Sequence, residues 1–435
     1  MHDHQPKTLP DGFRKLDPAS RRDRFRTVLG TESDLDEFES TGRDESLVEL
    51  SNLMVESSIG YAPIPLGVAH GFLIDGIKYD LPMATEEPSI IAAASYAARI
   101  VAKGGGFESR ATEPVMVTQI FLEGATDEGL ERLSDASLRI GAEIQPLLGS
   151  LPARGGGFRG MTVDRLPKTG IARVNLAIDV RDAMGANILN TAAEGICPLV
   201  EELSGGKRLM CILSNAATDR RGWAHCSIPF SVLGGTTGAG GDGMEIARRI
   251  EMATRVADED SSRGVTHNKG IMNGISALAL ATFNDCRSIE AAAHGWAARD
   301  GRYRSLSSWR VEEGALVGEI ELPLSFGAVG GAAAFHPTSR LALRLLGNPG
   351  AQTLARIAAS LGLAQNFAAL LALVTGGIQR GHMRYHAPRI AYMAGARGTE
   401  IAAVAQAMTL EKRYSMHEAE SLLEKFRVGQ LYRGV

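Results

Sequence analysis

Arg263-Gly-Val-Thr-His-Asn-Lys269-Gly-Ile-Met-Asn273-Gly274, followed by Asn284-Asp285, decides how the rest of the chain reads. It sets a lysine, an arginine, amides and a carboxylate among glycines, inside an Ala/Leu-rich region. The run reads as too polar for a core helix and too apolar in its flanks for a solvated loop. A lysine there keeps its charge only where a carboxylate or a substrate anion answers it. The stretch is therefore expected to be one half of an active site. Lys269 and Asn273 share a face if the segment is helical. The planar fork of Arg263 suits both oxygens of a carboxylate. The plainer alternative for Lys269 is an exposed lysine at a helix start. A straight helix from Lys269 to Asp285 would hold them roughly 24 Å apart at about 1.5 Å per residue. They meet only if the segment bends or if a second subunit supplies one of them, which favours a site between subunits.

Working outward, Thr85-Glu86-Glu87-Pro88-Ser89 opens the clearest helix, running on Ala and Ile over 90–101 and closed by Gly104-Gly105-Gly106. So few polar residues over about four turns predict burial nearly all round. Proline is tolerated in a first turn, and acids there suit the helix N-terminus, so capping is the bland reading of Glu86 and Glu87. Upstream, charged helices over 18–53 carry Arg21, Arg22, Arg24 and Arg26, read as a solvated face diluted by Asp23, Glu32 and Asp34. Glu56-Ser-Ser-Ile-Gly60-Tyr-Ala-Pro-Ile-Pro65-Leu-Gly67 is a shaped loop or edge segment. A hairpin over 71–81 turns at Asp75-Gly76.

Between 111 and 218 the texture changes. Strands are expected at 115–122, 163–166, 173–180 and 209–213, with helices at 129–140 and from Asn187 to about 203. That alternation predicts a compact α/β sandwich inserted into a larger domain. Beyond it, helices are expected at 244–257, 339–346 and 351–375, and a strand at 317–322. After the Gly376-Gly377 hinge, two helices and a charged end form a separable C-terminal piece.

The chain has 435 residues, 44% hydrophobic and 22% charged, which predicts a folded, soluble protein of two or three domains. A net charge of −4 offers no polycation for a nucleic-acid backbone. Cys197, Cys211, Cys226 and Cys286 show no Cys-x-x-Cys pair, which argues against a disulfide framework or a zinc knot. Met1-His-Asp-His-Gln lacks a signal-peptide layout, and no window holds the roughly 18 uninterrupted apolar residues of a membrane span. A cytoplasmic location, with no membrane and no nucleic acid as partner, is expected.

Two further constellations offer chemistry. Asp182-Ala-Met184-Gly185-Ala-Asn187 stands where a strand hands over to a helix, and small residues there let backbone N–H groups approach a phosphate. It is not Gly-x-Gly-x-x-Gly, so no Rossmann fold is indicated, and an Asp N-cap is the plainer alternative. His382 and His386 lie four apart without a third metal ligand. A mobile histidine acting as proton donor fits His382 better than zinc does. His267 and His70 read as structural residues or as supports for the site.

Together these stretches resemble the class II (bacterial) 3-hydroxy-3-methylglutaryl-coenzyme A reductases. The resemblance rests on six motifs in family order. They are Glu56-x-x-Ile-Gly-Tyr-x-Pro-Ile-Pro-x-Gly-Val-Ala, Pro82-Met-Ala-Thr-Glu-Glu87-Pro-Ser89, Asp182-Ala-Met-Gly-Ala-Asn187, Thr266-His-Asn-Lys-Gly-Ile-Met-Asn-Gly274, Asn284-Asp285 and Gly377-Ile-Gln-Arg-Gly-His-Met383. The resemblance implies a four-electron reduction of the thioester to mevalonate and free coenzyme A, by two hydrides from NADH or NADPH, or the reverse. It implies that Lys269 stabilises the oxyanion, Glu87 supplies a proton from a raised pKa, and Asp285 links and tunes both. His382 would protonate the coenzyme A thiolate, with no metal involved. Arg263, Ser89 and Asn273 would hold the hydroxymethylglutaryl end, and Asp182, Met184, Gly185 and Asn187 the dinucleotide.

The implied fold is α+β. A large, mostly helical domain (1–110 and 221–376) surrounds the buried Glu87 helix, a ferredoxin-like nucleotide-binding domain (111–220) is inserted, and a C-terminal helical flap (377–435) closes over the site. The implied assembly is a homodimer or a higher oligomer of dimers. Two departures stand out. Glu56-Ser57-Ser58 replaces the family's Glu-Asn before Ile-Gly, which removes an amide. Gln145-Pro-Leu-Leu148-Gly-Ser, with Arg154 beside Gly155, lacks the aspartate of some NADH users and is friendlier to a 2′-phosphate. Rival readings are an oxidoreductase of the same scaffold acting on another acyl-coenzyme A, and a non-catalytic coenzyme A or nucleotide-binding module.

Overall fold

A computed structural model describes residues 15–29, 45–237, 241–331, 335–376 and 378–429. The chain forms two compact units, residues 1–65 and 66–435. The first contains helices α1 (Pro18–Leu29) and α2 (Glu45–Met54). The arginine run on α1 is not uniformly solvated. Arg24 is exposed, but Arg21 is buried and donates to the Asn52 amide on α2, while Arg22 donates to Ile59 O at 2.9 Å. Ser58, one of the two serines at the departure noted above, is buried and donates to Ser51 Oγ at 2.7 Å.

The second unit opens with the expected hairpin, β1 (Leu66–Ile74) and β2 (Ile77–Ala84). Its turn residues both take positive φ (Asp75 50°, Gly76 78°), the geometry that lets a two-residue turn follow the twist of its strands. Helix α3 (Ile90–Ala102) follows. Its start differs from expectation: Ser89 sits in the left-handed region (φ 75°), so the helix begins at Ile90 and Glu86-Glu87-Pro88 lie in a bend before it. Proline disfavours the helical region for the residue before it, which holds Glu87 out of the first turn.

Strand β3 (Phe107–Ala111) then leads into β4 (Val115–Glu123), α4 (Asp127–Asp135), α5 (Ser137–Ile144), β5 (Gly157–Arg165), β6 (Ala172–Asp179), α6 (Ala186–Ser204) and β7 (Lys207–Leu213). The single helix expected over 129–140 is two, parted at Ala136. Strands β4–β7 form an antiparallel sheet in the order β5-β6-β4-β7, which with the helices makes the βαββαβ ferredoxin-like arrangement. Met116, Ile120, Val174, Leu176 and Ile178 alternate inward from its strands against Leu189, Ala193 and Ile196 of α6.

Strand β8 (Arg221–Pro229) returns to pair with β3, Phe107 facing Cys226 and Ala111 facing Gly222. Helices α7 (Gly243–Glu259), α8 (Ser261–Ala281) and α9 (Cys286–Ala297) follow, then β9 (Ser307–Glu312) and β10 (Ala315–Pro323). The six-stranded sheet runs β2-β1-β3-β8-β10-β9. Helix α10 (Pro337–Leu345) precedes α11 (Ala351–Val374), which packs against α3, α7, α8, β3, β8 and β10. By length and composition α11 could cross a membrane, with a mean hydropathy of 1.8, but 83% of that window is buried within the chain. It is the centre of the core, and α3 packs beside it.

Among the described residues three helices, rather than two, follow α11: α12 (Ile378–Met393), α13 (Thr399–Glu411) and α14 (Met416–Arg427). Lys412 in the left-handed region stops α13, and Ser415 caps α14 through Glu418 N at 3.2 Å. Their own core comprises Ala387, Ala391, Val404, Met408 and Leu422.

Candidate active site

The stretch 263–274 is a helix after all, and a core one. On α8, Gly264, His267, Asn268, Ile271, Met272 and Gly274 are buried. Its polarity is tolerated because the Asn268 amide and the Nε2 edge of His267 have partners that are themselves fixed. Asn268 accepts from Leu306 N (2.9 Å) and donates to Arg304 O (2.8 Å). His267 Nε2 lies 2.8 Å from Ser307 Oγ and 3.0 Å from Asn366 Nδ2. Polar atoms satisfied in this way cost little to bury.

Arg263, Thr266, His267, Lys269, Gly270 and Asn273 of α8 line a cavity of about 1070 Å³, bounded also by α3, α7 and α11. There Lys269 Nζ lies 3.1 Å from Glu87 Oε2. Bending before α3 brings Glu87 to this wall, and Ser89, Arg263 and Asn273 line the same cavity. Lys269 is 62% exposed and Glu87 38%. So open an ion pair contributes at most about 1 kcal/mol, and a substrate oxygen can displace the carboxylate from the ammonium. Among the described residues Arg263 has no ion-pair partner. Arg249, on α7, also lines the cavity with no ion-pair partner among the described residues, and Tyr96 and Gln365 are further wall residues. Sequence reasoning missed these three. Arg249 sits on an amphipathic helix beside Arg248 and cannot be told from a solvated arginine without the fold.

Asp285 stands apart from this group. It lies beyond the end of α8, caps α9 by accepting from Arg287 N (3.1 Å) and Ser288 N (3.3 Å), and pairs with Arg287 Nε at 3.2 Å. The link expected through Asp285 is, within one chain, a direct Glu87–Lys269 contact, and Asp285 does not line the cavity. The chain does break after Ala281, but the Asp285 carboxylate is engaged at the start of α9 instead. His382 falls on α12, but its side chain lies outside the described residues. His386 is half-buried. Among the described residues no three His, Cys, Asp or Glu side chains group as metal ligands.

The turn after β6 is held on several sides. Gly185 takes φ 96° as N-cap of α6, where a Cβ would stand 2.7 Å from Val180 Cγ1. Met184 is half-buried and Asn187 exposed, and no side chain caps the N-terminal N–H groups of α6. Asp182 is not the N-cap of α6. Its carboxylate accepts from Ala351 N at the start of α11 (2.8 Å), and its carbonyl from Ala328 N (2.7 Å). Arg220, 4% exposed, donates to Ala183 O at 3.0 Å and to Phe326 O, and burial lowers its pKa to about 10. Gly327, packed against Met184, donates its N–H to Asn284 Oδ1 at 2.7 Å. The turn is thereby tied to the residue beside Asp285.

Around the glycine triplet, Arg181 donates to Gly155 O at 2.5 Å and Arg159 to the fully buried Asp179 at 2.7 Å. The uncapped N-terminus of α6 leaves backbone N–H donors of the kind that suit a phosphate.

The chain belongs to the hydroxymethylglutaryl-coenzyme A reductase family, whose model matches residues 19–387, and is an oxidoreductase. It is 40% identical to the 3-hydroxy-3-methylglutaryl-coenzyme A reductase of Archaeoglobus fulgidus, over 96% of this chain and 94% of that one. It is 35% identical to the probable reductase of Borreliella burgdorferi, over 88% and 87%. Among solved structures, it is similar to the class II reductase of Streptococcus pneumoniae bound to NADPH in open conformations. That likeness has a TM-score of 0.74 and 38% identity, and covers 95% of this chain and all of the other.

Proposed function

We propose that this chain interconverts 3-hydroxy-3-methylglutaryl-coenzyme A and mevalonate plus coenzyme A, using NADH or NADPH. The observation that carries the reading is the Glu87–Lys269 pair, 3.1 Å apart in a cavity with Arg263, which has no ion-pair partner among the described residues. Arg263 holds the acid end of the substrate, with Ser89 and Asn273. Lys269 meets the oxygen that gains negative charge as the thioester carbon is reduced, and Glu87 delivers the proton that oxygen takes up. His382 protonates the departing thiolate. The nicotinamide dinucleotide, when bound, supplies two hydrides in succession, or accepts them in the reverse direction. Asp182, Met184, Gly185 and Asn187 hold it at the uncapped N-terminus of α6.

Residues 111–220 are read as the nucleotide-binding domain, set between 1–110 and 221–376 of the large domain, with 377–435 as the flap. The active unit is a homodimer in which Asp285 reaches the Glu87–Lys269 pair from a second copy, since within one chain it is spent on α9. The four cysteines carry no disulfide and accord with a cytoplasmic location.

The test is nucleotide oxidation dependent on hydroxymethylglutaryl-coenzyme A, with release of free thiol. Lys269→Ala is expected to lower kcat by about 10²–10³-fold, the usual cost of losing an oxyanion partner. A Lys269→Ala protein turning over at the wild-type rate would end this mechanism. Equal turnover of unrelated acyl thioesters would end the substrate assignment.

A further inference from the structure

We propose that His267 binds substrate as a neutral imidazole locked in one tautomer, its Nδ1–H donating to an oxygen of the carboxylate end that Arg263 faces. Trp309 sets the orientation of the amide that faces the ring. Its Nε1–H can only donate, and it lies 2.7 Å from Asn366 Oδ1. That contact fixes which way the Asn366 amide points, with its oxygen toward Trp309 and its nitrogen toward His267. Asn366 Nδ2 can only donate as well, and it stands 3.0 Å from His267 Nε2. Nε2 must therefore present a lone pair. Ser307 Oγ, 2.8 Å from Nε2 and 3.0 Å from Asn366 Oδ1, donates to either without changing the outcome. The single proton of the neutral ring sits on Nδ1.

Among the described residues that Nδ1 has no hydrogen-bond partner, although the ring is only 3% exposed. Buried donors are rarely left so. His267 also lines the Glu87–Lys269 cavity, one helical turn after Arg263. A ring donor beside an unpaired guanidinium selects a group that only accepts, and a carboxylate is such a group.

The ring stays neutral because burial, and secondarily the Arg263 charge, holds its pKa at about 3. From the elements packed against it, the groups that face it are Ser307 and Asn366, neither of which titrates. With Nε2 committed to the core, the ring cannot pass protons through and acts by binding alone. The identity of the ligand rests on the reading given above, while the tautomer does not.

The experiment uses the full chain labelled with 15N-histidine. The wild-type His267 signals should show a neutral ring protonated at Nδ1 throughout about pH 5–8, the window in which an ordinary histidine titrates. Adding 3-hydroxy-3-methylglutarate should shift the Nδ1 resonance. An Nε2–H ring, or an Nδ1 signal indifferent to saturating ligand, overturns the proposal.

Asn366→Asp keeps acceptors for Trp309 and Ser307 but replaces the donor that faces Nε2. It should raise KM for the acyl-coenzyme A about 10-fold, roughly what a lost hydrogen bond to a charged group gives. It should also add a pH dependence to KM that the wild type lacks, and leave nucleotide affinity unchanged. A merely structural role predicts a lower folded fraction with an unaltered KM and pH profile, and that result also overturns it. If wild-type protein fails to turn over the coenzyme A ester yet the dicarboxylate still shifts Nδ1, the functional reading fails and this one stands.

Discussion

Lys269 and Glu87 are 182 positions apart in sequence and 3.1 Å apart in space. Both were legible beforehand, Lys269 as a charge with no obvious answer and Glu87 as an acid at the mouth of an apolar helix. What the sequence could not show is which polar residues of the 263–274 run face inward. His267 and Asn268 look no different from Thr266 or Asn273 until β9, the segment just before it and α11 supply their partners. That burial has a measurable consequence. The His267 ring takes a proton at about 3 when folded, against an ordinary value of 6.5. Between those values the unfolded chain binds a proton there that the folded chain refuses. Stability is thus fully present above the ordinary value and is lost as pH falls through the window, at up to about 1.4 kcal/mol per pH unit. Denaturant midpoints of the wild type should fall more steeply over this range than those of His267→Gln. Parallel curves would contradict the assignment.

At the scale of elements, α11 lies so close to β8 that a Cβ on Gly222 would stand 2.7 Å from the Ala355 carbonyl oxygen. Backbone cannot step aside as a side-chain tip can, so Gly222→Ala should destabilise the fold by about 1–3 kcal/mol. Its chemical-denaturation midpoint reads that out, and an unchanged midpoint would mean the helix and strand are less tightly apposed. The same strand explains a gap in the sequence reading. Buried positions on β8 are Gly222, Ala224, Cys226 and Ile228, while Trp223 and His225 point the other way, so small residues face in and large ones out. Alternation is present but faint, because the inward residues before Ile228 are only Gly, Ala and Cys while Trp223 lies on the other face, so the strand leaves little trace. β3 and β9 escaped for related reasons, Ser307 being buried through hydrogen bonds rather than apolar surface. Where alternation is regular, as in β4 and β6, expected and observed strands agree to within about one residue, inside the usual scatter of strand ends.

For the whole molecule, the placement of Asp285 decides between a site made by one chain and a site made by two. If two copies share each site, mixing Lys269→Ala with Asp285→Ala protein under exchanging conditions should restore activity. Random pairing makes half the dimers mixed, and each mixed dimer keeps one intact site of two, so recovery should reach about a quarter of wild type. No recovery would place both residues in one chain. A compact α/β sandwich set within a larger domain was readable from the alternation of strand and helix, whereas its ferredoxin-like form followed only from the family resemblance and its flanking strands β3 and β8 were not foreseen. The three-helix end was only partly readable, because Ser415 and Lys412 mark a break that looks like any charged turn.

Helix α11 also orders events in time. Apart from α12, the elements it packs against precede it in the chain: α3, β3, α7, α8, β8 and β10. On a ribosome those surfaces are made first and must wait, their apolar faces unclosed, until residue 374 has emerged. The ferredoxin-like sheet, whose strands lie between 115 and 213, needs nothing later than itself. Synthesis should thus yield an early-folded small body tethered to a large one that closes in a single late step, when its most apolar segment arrives at a cleft already shaped for it.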